Sequence, residues 1–112
     1  MVGQMRELLL YRAEVLRQSG FKVIPMQSKE EAIAAIKRGS FDAAILSYTL
    51  SSDAVEELSE LVRQHQPDCP VISISRSGSE DRRLHPDEIV VGEEGPAALL
   101  AALRRALDKR VQ

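Results

Sequence analysis

Apolar residues along the chain alternate between stretches of helical spacing and short unbroken runs. Over residues 4–18, Met5, Leu8, Leu9, Val15 and Leu16 recur at helical intervals, with Arg6, Glu7, Glu14 and Arg17 elsewhere around the turn. This predicts a first helix with those five residues inward, closed by Ser19-Gly20 because glycine enters a left-handed C-cap without Cβ strain. Residues 21–24 read as a short strand that Pro25 ends by removing a ladder donor. Ser28 then offers an N-cap, with Glu31 as its capping-box partner. The second helix buries Ala32, Ile33 and Ile36 and stops at Gly39.

The apolar run 43–46 predicts a strand buried on both faces, as parallel sheets require. Ser51-Ser52-Asp53 supplies caps for a third helix to about Gln66, with Val55, Leu58, Leu61 and Val62 inward. Pro70 opens a strand through Ser75, and 89–91 form the last strand. Gly95-Pro96 starts a final helix with an apolar stripe of Leu99, Leu100, Leu103, Ala106 and Leu107. Its basic end, Arg104, Arg105, Lys109 and Arg110, complements the helix dipole. Strands alternating with helices predict an α/β fold with a parallel sheet covered on both faces. Ligands of such folds gather at the carboxyl ends of the strands, which here carry Gly3-Gln4, Ser47-Tyr48, Ser75-Arg76 and Gly92-Glu93.

At 112 residues the chain is expected to form one domain, 1–112, with no output domain attached. A 44% apolar content suffices for a core, and a net charge of −2 gives no drive toward nucleic acid or an anionic membrane. Cys69 is the only cysteine, so a disulfide framework and a multi-cysteine metal site are excluded, and the residue reads as a buried inert thiol. His65 and His85 lack a ligand-spaced partner and read as surface residues. No apolar run is long enough to span a bilayer, and no signal peptide is legible, so a cytoplasmic location is expected by default.

Taken in order, several segments resemble response-regulator receiver (CheY-like) domains. Residues 18–23 are similar to that family's turn into its second strand, 28–36 to its second helix, 41–46 to its acceptor strand and 70–75 to its fourth strand. Pro96 and Leu99 fall where its final helix has Pro and Leu. The resemblance implies a flavodoxin-like, doubly wound parallel sheet in three α/β/α layers. Only Met1-Val2-Gly3 stands for the central first strand, which implies a truncated strand and favours a native start upstream of Met1. The polar, Gly/Pro-punctuated stretch 76–88 implies a fourth helix reduced to a loop or single turn.

The resemblance also locates the family's chemistry, and there the residues depart from it. The phospho-accepting Asp aligns with Ser47, the Mg²⁺-binding acidic pair with Gly3 and Gln4, and the strand-five Lys with Gly92. A hydroxyl is kept at Ser75, and the aromatic switch position holds Ile89. Mg²⁺ requires hard anionic oxygens in octahedral array, and phosphoryl transfer depends on neutralising developing charge. Gly3, Gln4, Ser47 and Gly92 supply neither. Asp42 lies at the opposite end of its strand and is no substitute. The expectation is therefore no metal, no cofactor and no enzymatic activity, but a protein-binding module of a two-component phosphorelay. Its partner would be a histidine kinase or another regulator, with Tyr48 and Arg76 as contacts beside the first helix. It would be a monomer or weak homodimer. Two alternatives stay open: a switch phosphorylated on Ser47 or a neighbour, and a small-anion binder.

Overall fold

A buried apolar strand is stable only when its backbone N–H and C=O groups find partners, so the sheet ladder sets this fold. The computed structural model describes residues 1–3, 5–39, 41–47, 51–75, 87–91 and 95–111. Among these the order is α1 (Arg6–Gln18), α2 (Lys29–Arg38), β1 (Ala44–Ser47), α3 (Ser52–His65), β2 (Val71–Ser75), β3 (Glu88–Val91) and α4 (Pro96–Val111). The three strands pair in parallel in the order β1-β2-β3, with Ala44 opposite Val71, Ser47 opposite Ile74, and Ser75 opposite Val91.

Beyond β1 the sheet continues as single bridges. Val2 pairs in parallel with Leu46 on one side and with Met26 on the other. The Val2 N–H donates to the Ile45 carbonyl (2.8 Å), and the Ser47 N–H donates to the Val2 carbonyl (3.0 Å). On the far side the Gly3 N–H donates to the Met26 carbonyl (3.1 Å), and the Met26 N–H to the Met1 carbonyl (2.8 Å). Five segments thus lie side by side in the doubly wound order 2-1-3-4-5. The truncated first strand of the sequence reading is this bridging stub.

The strand expected over 21–24 does not form. Strand propensity there is ample, but a strand needs a ladder partner. Pairing starts only at Met26, beyond the proline expected to end it. Two nearby carbonyls find other donors: the Arg17 guanidinium donates to Val23 (3.0 Å), and the Met1 amine to Ile24 (3.3 Å).

Strand alternation splits the core in two. Val71 and Leu46 face α2 and α3, where they meet Ala32, Ile36, Val55, Leu58 and Val62. Ile45, Ile72, Ile74 and Val90 face the other way, against Leu16 of α1 and Leu99, Ala102 and Leu103 of α4. The expected stripes on α2, α3 and α4 hold. On α1 the buried face is instead Leu9, Arg12, Ala13 and Leu16, and Met5, expected inward, is exposed at the N-cap. Cys69 is buried, as expected.

Helix ends follow the sequence signals. The hydroxyls of Ser28 and Ser51 accept from the Glu31 and Ala54 N–H groups, each at 3.1 Å. After α1 the Gly20 N–H donates to Arg17 O and the Phe21 N–H to Leu16 O, with Gly20 at φ 97°. That is a Schellman cap, and Phe21 and Leu16, the pair it brings together, belong to one apolar cluster. The basic end of α4 does more than complement a dipole. Arg105 Nε donates to Glu88 Oε1 (2.7 Å), and Lys109 Nζ lies 3.5 Å from Glu88 Oε2, tying α4 to β3. The predicted loop over 76–88 lies outside the described residues up to position 86, and Glu88 already belongs to β3.

Two measurements test this account. A Cβ at Gly20 would meet nothing within 4 Å, so Gly20→Ala carries only the conformational penalty of a positive φ. Urea denaturation is expected to show a loss of about 1–2 kcal/mol, and an unchanged midpoint would contradict the cap. Burial pushes the Met1 amine down from 8.0 to about 6. Between those values the unfolded chain carries the proton and the folded one does not, so stability rises with pH from 6 to 8 and is lost as pH falls through that window. The change is at most about 3 kcal/mol. Denaturation curves across this range are expected to show it, and N-terminal acetylation is expected to abolish it.

Candidate functional site

The carboxyl edge of the sheet is where residues from separate segments converge. Val2 is bridged to Leu46, so Gly3 and Ser47 are the next residues along adjacent segments. Ser47 lies opposite Ile74, which places Ser75 one step further on β2. Three positions singled out in the sequence, Gly3, Ser47 and Ser75, therefore share one end of the sheet. Gln4, Tyr48, Arg76 and Gly92 lie outside the described residues.

Burial separates this site from an accessible one. Ser47 is 5% exposed and Ser75 2%, and Gly3 is buried as well. Ser47 shares its face with Ile45 and Ile74, toward α1. There it lines a small nook with Gly3, Leu8, Leu9 and Arg12. The nook is too narrow for a water molecule. Arg12 was missed by the sequence reading, although it is only 7% exposed. Its signal was its position: Leu9, Arg12, Ala13 and Leu16 form one helical stripe, and the arginine interrupts it. A long side chain can lay its methylene stem against apolar neighbours there, which makes a buried arginine tolerable.

The chemistry available at this edge is limited. Gly3 offers no side chain, Ser47 and Ser75 are neutral hydroxyls, and Arg12, a cation, lines the same nook as Ser47. This donor set does not fit Mg²⁺, which needs anionic oxygens, and a guanidinium beside the position opposes a divalent cation. Among the described residues no three His, Cys, Asp or Glu side chains come together. Asp42 is exposed at the amino end of β1, and His65 is exposed at the end of α3. No helix among the described residues is long and apolar enough to cross a membrane.

α1, beside this edge, carries a different feature. Tyr11 is 57% exposed, and Leu8 and Val15, at i−3 and i+4, are half-buried. Together they make an apolar strip along one flank of the helix, next to the buried stripe.

No protein-family model matches the sequence, and no curated protein does. Solved structures do match. A CheY-like response regulator receiver domain protein from Methanospirillum hungatei superposes with a TM-score of 0.82 at 20% identity, over 97% of this chain and 91% of that one. A response regulator receiver protein from Sinorhizobium medicae gives 0.80 at 24% identity, over 97% and 92%. The response regulator TrrA from Thermotoga maritima, crystallised with Mg²⁺–BeF, gives 0.77 at 18% identity, over 94% of each chain. Together with the segment order of the sheet, these likenesses establish that this chain has the CheY-like receiver fold.

Proposed function

We propose that this chain is an atypical receiver domain of a two-component phosphorelay that acts by binding a protein partner and is not phosphorylated on aspartate. The observation that carries the reading is the acceptor position: Ser47 is neutral, buried and walled by Arg12 in a nook without room for water. An acyl-phosphate switch needs an exposed carboxylate, a divalent cation and a compensating lysine. The Thermotoga protein of the same fold was crystallised with Mg²⁺–BeF. Here the aligned Gly3, Gln4, Ser47 and Gly92 provide no anionic ligand for the ion.

The partner surface is the flank of α1 bearing Leu8, Tyr11 and Val15, and the contacts expected from the sequence, Tyr48 and Arg76, follow Ser47 and Ser75 in the chain. Exposed aromatic residues beside half-buried aliphatic ones make favourable interface anchors. The partner is a histidine kinase or another regulator, met in the cytoplasm, and the domain has no catalytic activity of its own. Phosphorylation of Ser47 by a serine kinase is disfavoured by its burial, since the hydroxyl would have to leave the sheet edge to react. An anion at the same place is disfavoured by the lack of space beside Arg12.

The test is intact mass after incubation with Mg²⁺ and a small-molecule phosphodonor, with Ser47→Asp alongside. Neither protein is expected to gain a phosphoryl group, because restoring the acceptor alone restores neither metal ligands nor lysine. A gain by the wild type would overturn the reading. Binding to a purified histidine kinase of the same cell is expected to weaken about tenfold in Tyr11→Ala, without a change in thermal midpoint. Equal binding by the variant would remove α1 from the interface.

A further inference from the structure

The two ends of α1 are held by different means. At the C-terminal end Leu16 enters the apolar cluster with Ile45, Ile72 and Leu103. The Schellman turn closes there on the Leu16 carbonyl, and the Arg17 guanidinium donates to Val23 (3.0 Å). None of these bonds reaches the first two turns. The N-cap is Met5, whose side chain makes no capping bond, whereas α2 and α3 start at serines that do. Leu9 and Ala13, though buried, belong to neither apolar cluster. An uncapped helix end with few apolar contacts frays, because its first N–H groups have no intrahelical partner.

What meets this half of the helix is the nook at the carboxyl edge. Leu8, Leu9 and Arg12 line it from the helix, and Gly3, Ser47 and Ile74 from the sheet. Among the described residues Arg12 is the only charged side chain that is buried, and it is not without a partner. A guanidinium taken out of water must keep its hydrogen bonds, and its planar fork satisfies them in few orientations. Apolar contacts are non-directional, so packing alone leaves a helix free to roll, and a bonded fork does not. Arg12 also stands where a roll would be felt at the surface. Leu8 lies four residues before it and Val15 three after, so both adjoin it on the helix, with Tyr11 next outward.

We propose that Arg12 is a positioning residue, whose buried guanidinium fixes the first half of α1 on the carboxyl edge of the sheet and thereby sets the orientation of the Leu8–Tyr11–Val15 flank. As far as the partner is concerned this rests on the binding reading above; for α1 itself it does not. The regulation it implies is a binding surface held in one orientation by a residue of the chain, not by a ligand at the strand ends.

The experiment compares the full chain with its Arg12→Met and Arg12→Lys variants. An apolar side chain at a buried ionic position is often neutral or stabilising, so Arg12→Met is expected to keep the thermal midpoint. Amide hydrogen exchange at residues 9–12 is nonetheless expected to quicken about tenfold in that variant, with Leu16 and Arg17 unchanged. Affinity for the purified histidine kinase is expected to fall about fivefold. Arg12→Lys, which keeps a cation and donors on a long stem, is expected to restore both. Equal exchange in Arg12→Met and the wild type would overturn the proposal, since packing alone would then hold the half-helix. Faster exchange along the whole of α1 with a lower midpoint would overturn it too, because that is a general loss of packing. Altered exchange with unaltered kinase affinity would break the link to recognition. A kinase that binds none of the three proteins would sink the binding reading and leave exchange to decide the role of Arg12. One measurement needs no variant: the Arg12 Nε–H is expected to exchange with solvent about tenfold more slowly than that of the exposed Arg104, and equal rates would leave no anchor.

Discussion

Three residues at the centre of the sheet hold this fold in its order. Met1, Val2 and Gly3 exchange hydrogen bonds with Ile45 and Ser47 on one side and with Met26 on the other. Without that stub the passage between α1 and α2 would lose the backbone bonds that Met26 makes to the first segment, and β1 would present an unpaired edge in the interior. Backbone groups buried without partners carry a penalty of the same order as a lost hydrogen bond, so each of these few bonds matters more than one in a long ladder. Irregular features lie beside the stub. The passage through Val23 and Ile24 stays unassigned as strand, an arginine and an amine bond its carbonyls, and a cavity joins the two cores.

Much of this was legible in the sequence, and the pattern of what was not has one cause. Local signals survived: Ser28 and Ser51 cap their helices, Gly20 and Gly39 end theirs with positive φ, and the apolar stripes of α2, α3 and α4 are the buried ones. Each is fixed within a few residues of chain. Failures came where a residue's state depends on a distant partner. Residues 21–24 have strand composition, yet pairing needs a partner across the sheet, and the bridge to Val2 is made at Met26. Met5 sits at helical spacing with Leu8 and Leu9, yet it falls at the N-cap and is exposed. Glu88 reads as a surface acid before an apolar pair, and only the packing of α4 on β3 shows that it receives Arg105 and Lys109. Asp87 is similar: its carboxylate accepts from the Val71 N–H at 2.7 Å, closing the start of β2 across sixteen residues of sequence.

The candidate site was legible in identity but not in environment. That Gly3, Ser47 and Ser75 would meet at one end of the sheet follows from strand order alone, and they do. That Ser47 would be buried beside an arginine does not follow, because charged residues are normally assigned outward on a helix. Arg12 was the misleading residue, and it also changes the meaning of the substitution at Ser47. A carboxylate at the head of a neutral, solvated pocket would be a simple restoration. In a nook that an arginine also lines, the same carboxylate would share its surroundings with a cation of the protein rather than with a metal alone.

This bears on why a receiver fold persists without its usual site residues. Both cores lie along the strands, between Ile45, Ile72 and Ile74 on one face and Leu46 and Val71 on the other, and among the described residues neither cluster includes Gly3, Ser47 or Ser75. Clustered carboxylates at that edge would repel one another and be destabilising unless a cation were bound. A chain with glycine and serine there avoids that repulsion, and can pack the first turns of α1 down onto the sheet. Leu8, Leu9 and Arg12 line a nook with Ser47 too tight for water, which is the consequence. Neutral residues and a closed nook thus go together at this edge, and under the proposed reading recognition falls to the exposed flank of α1.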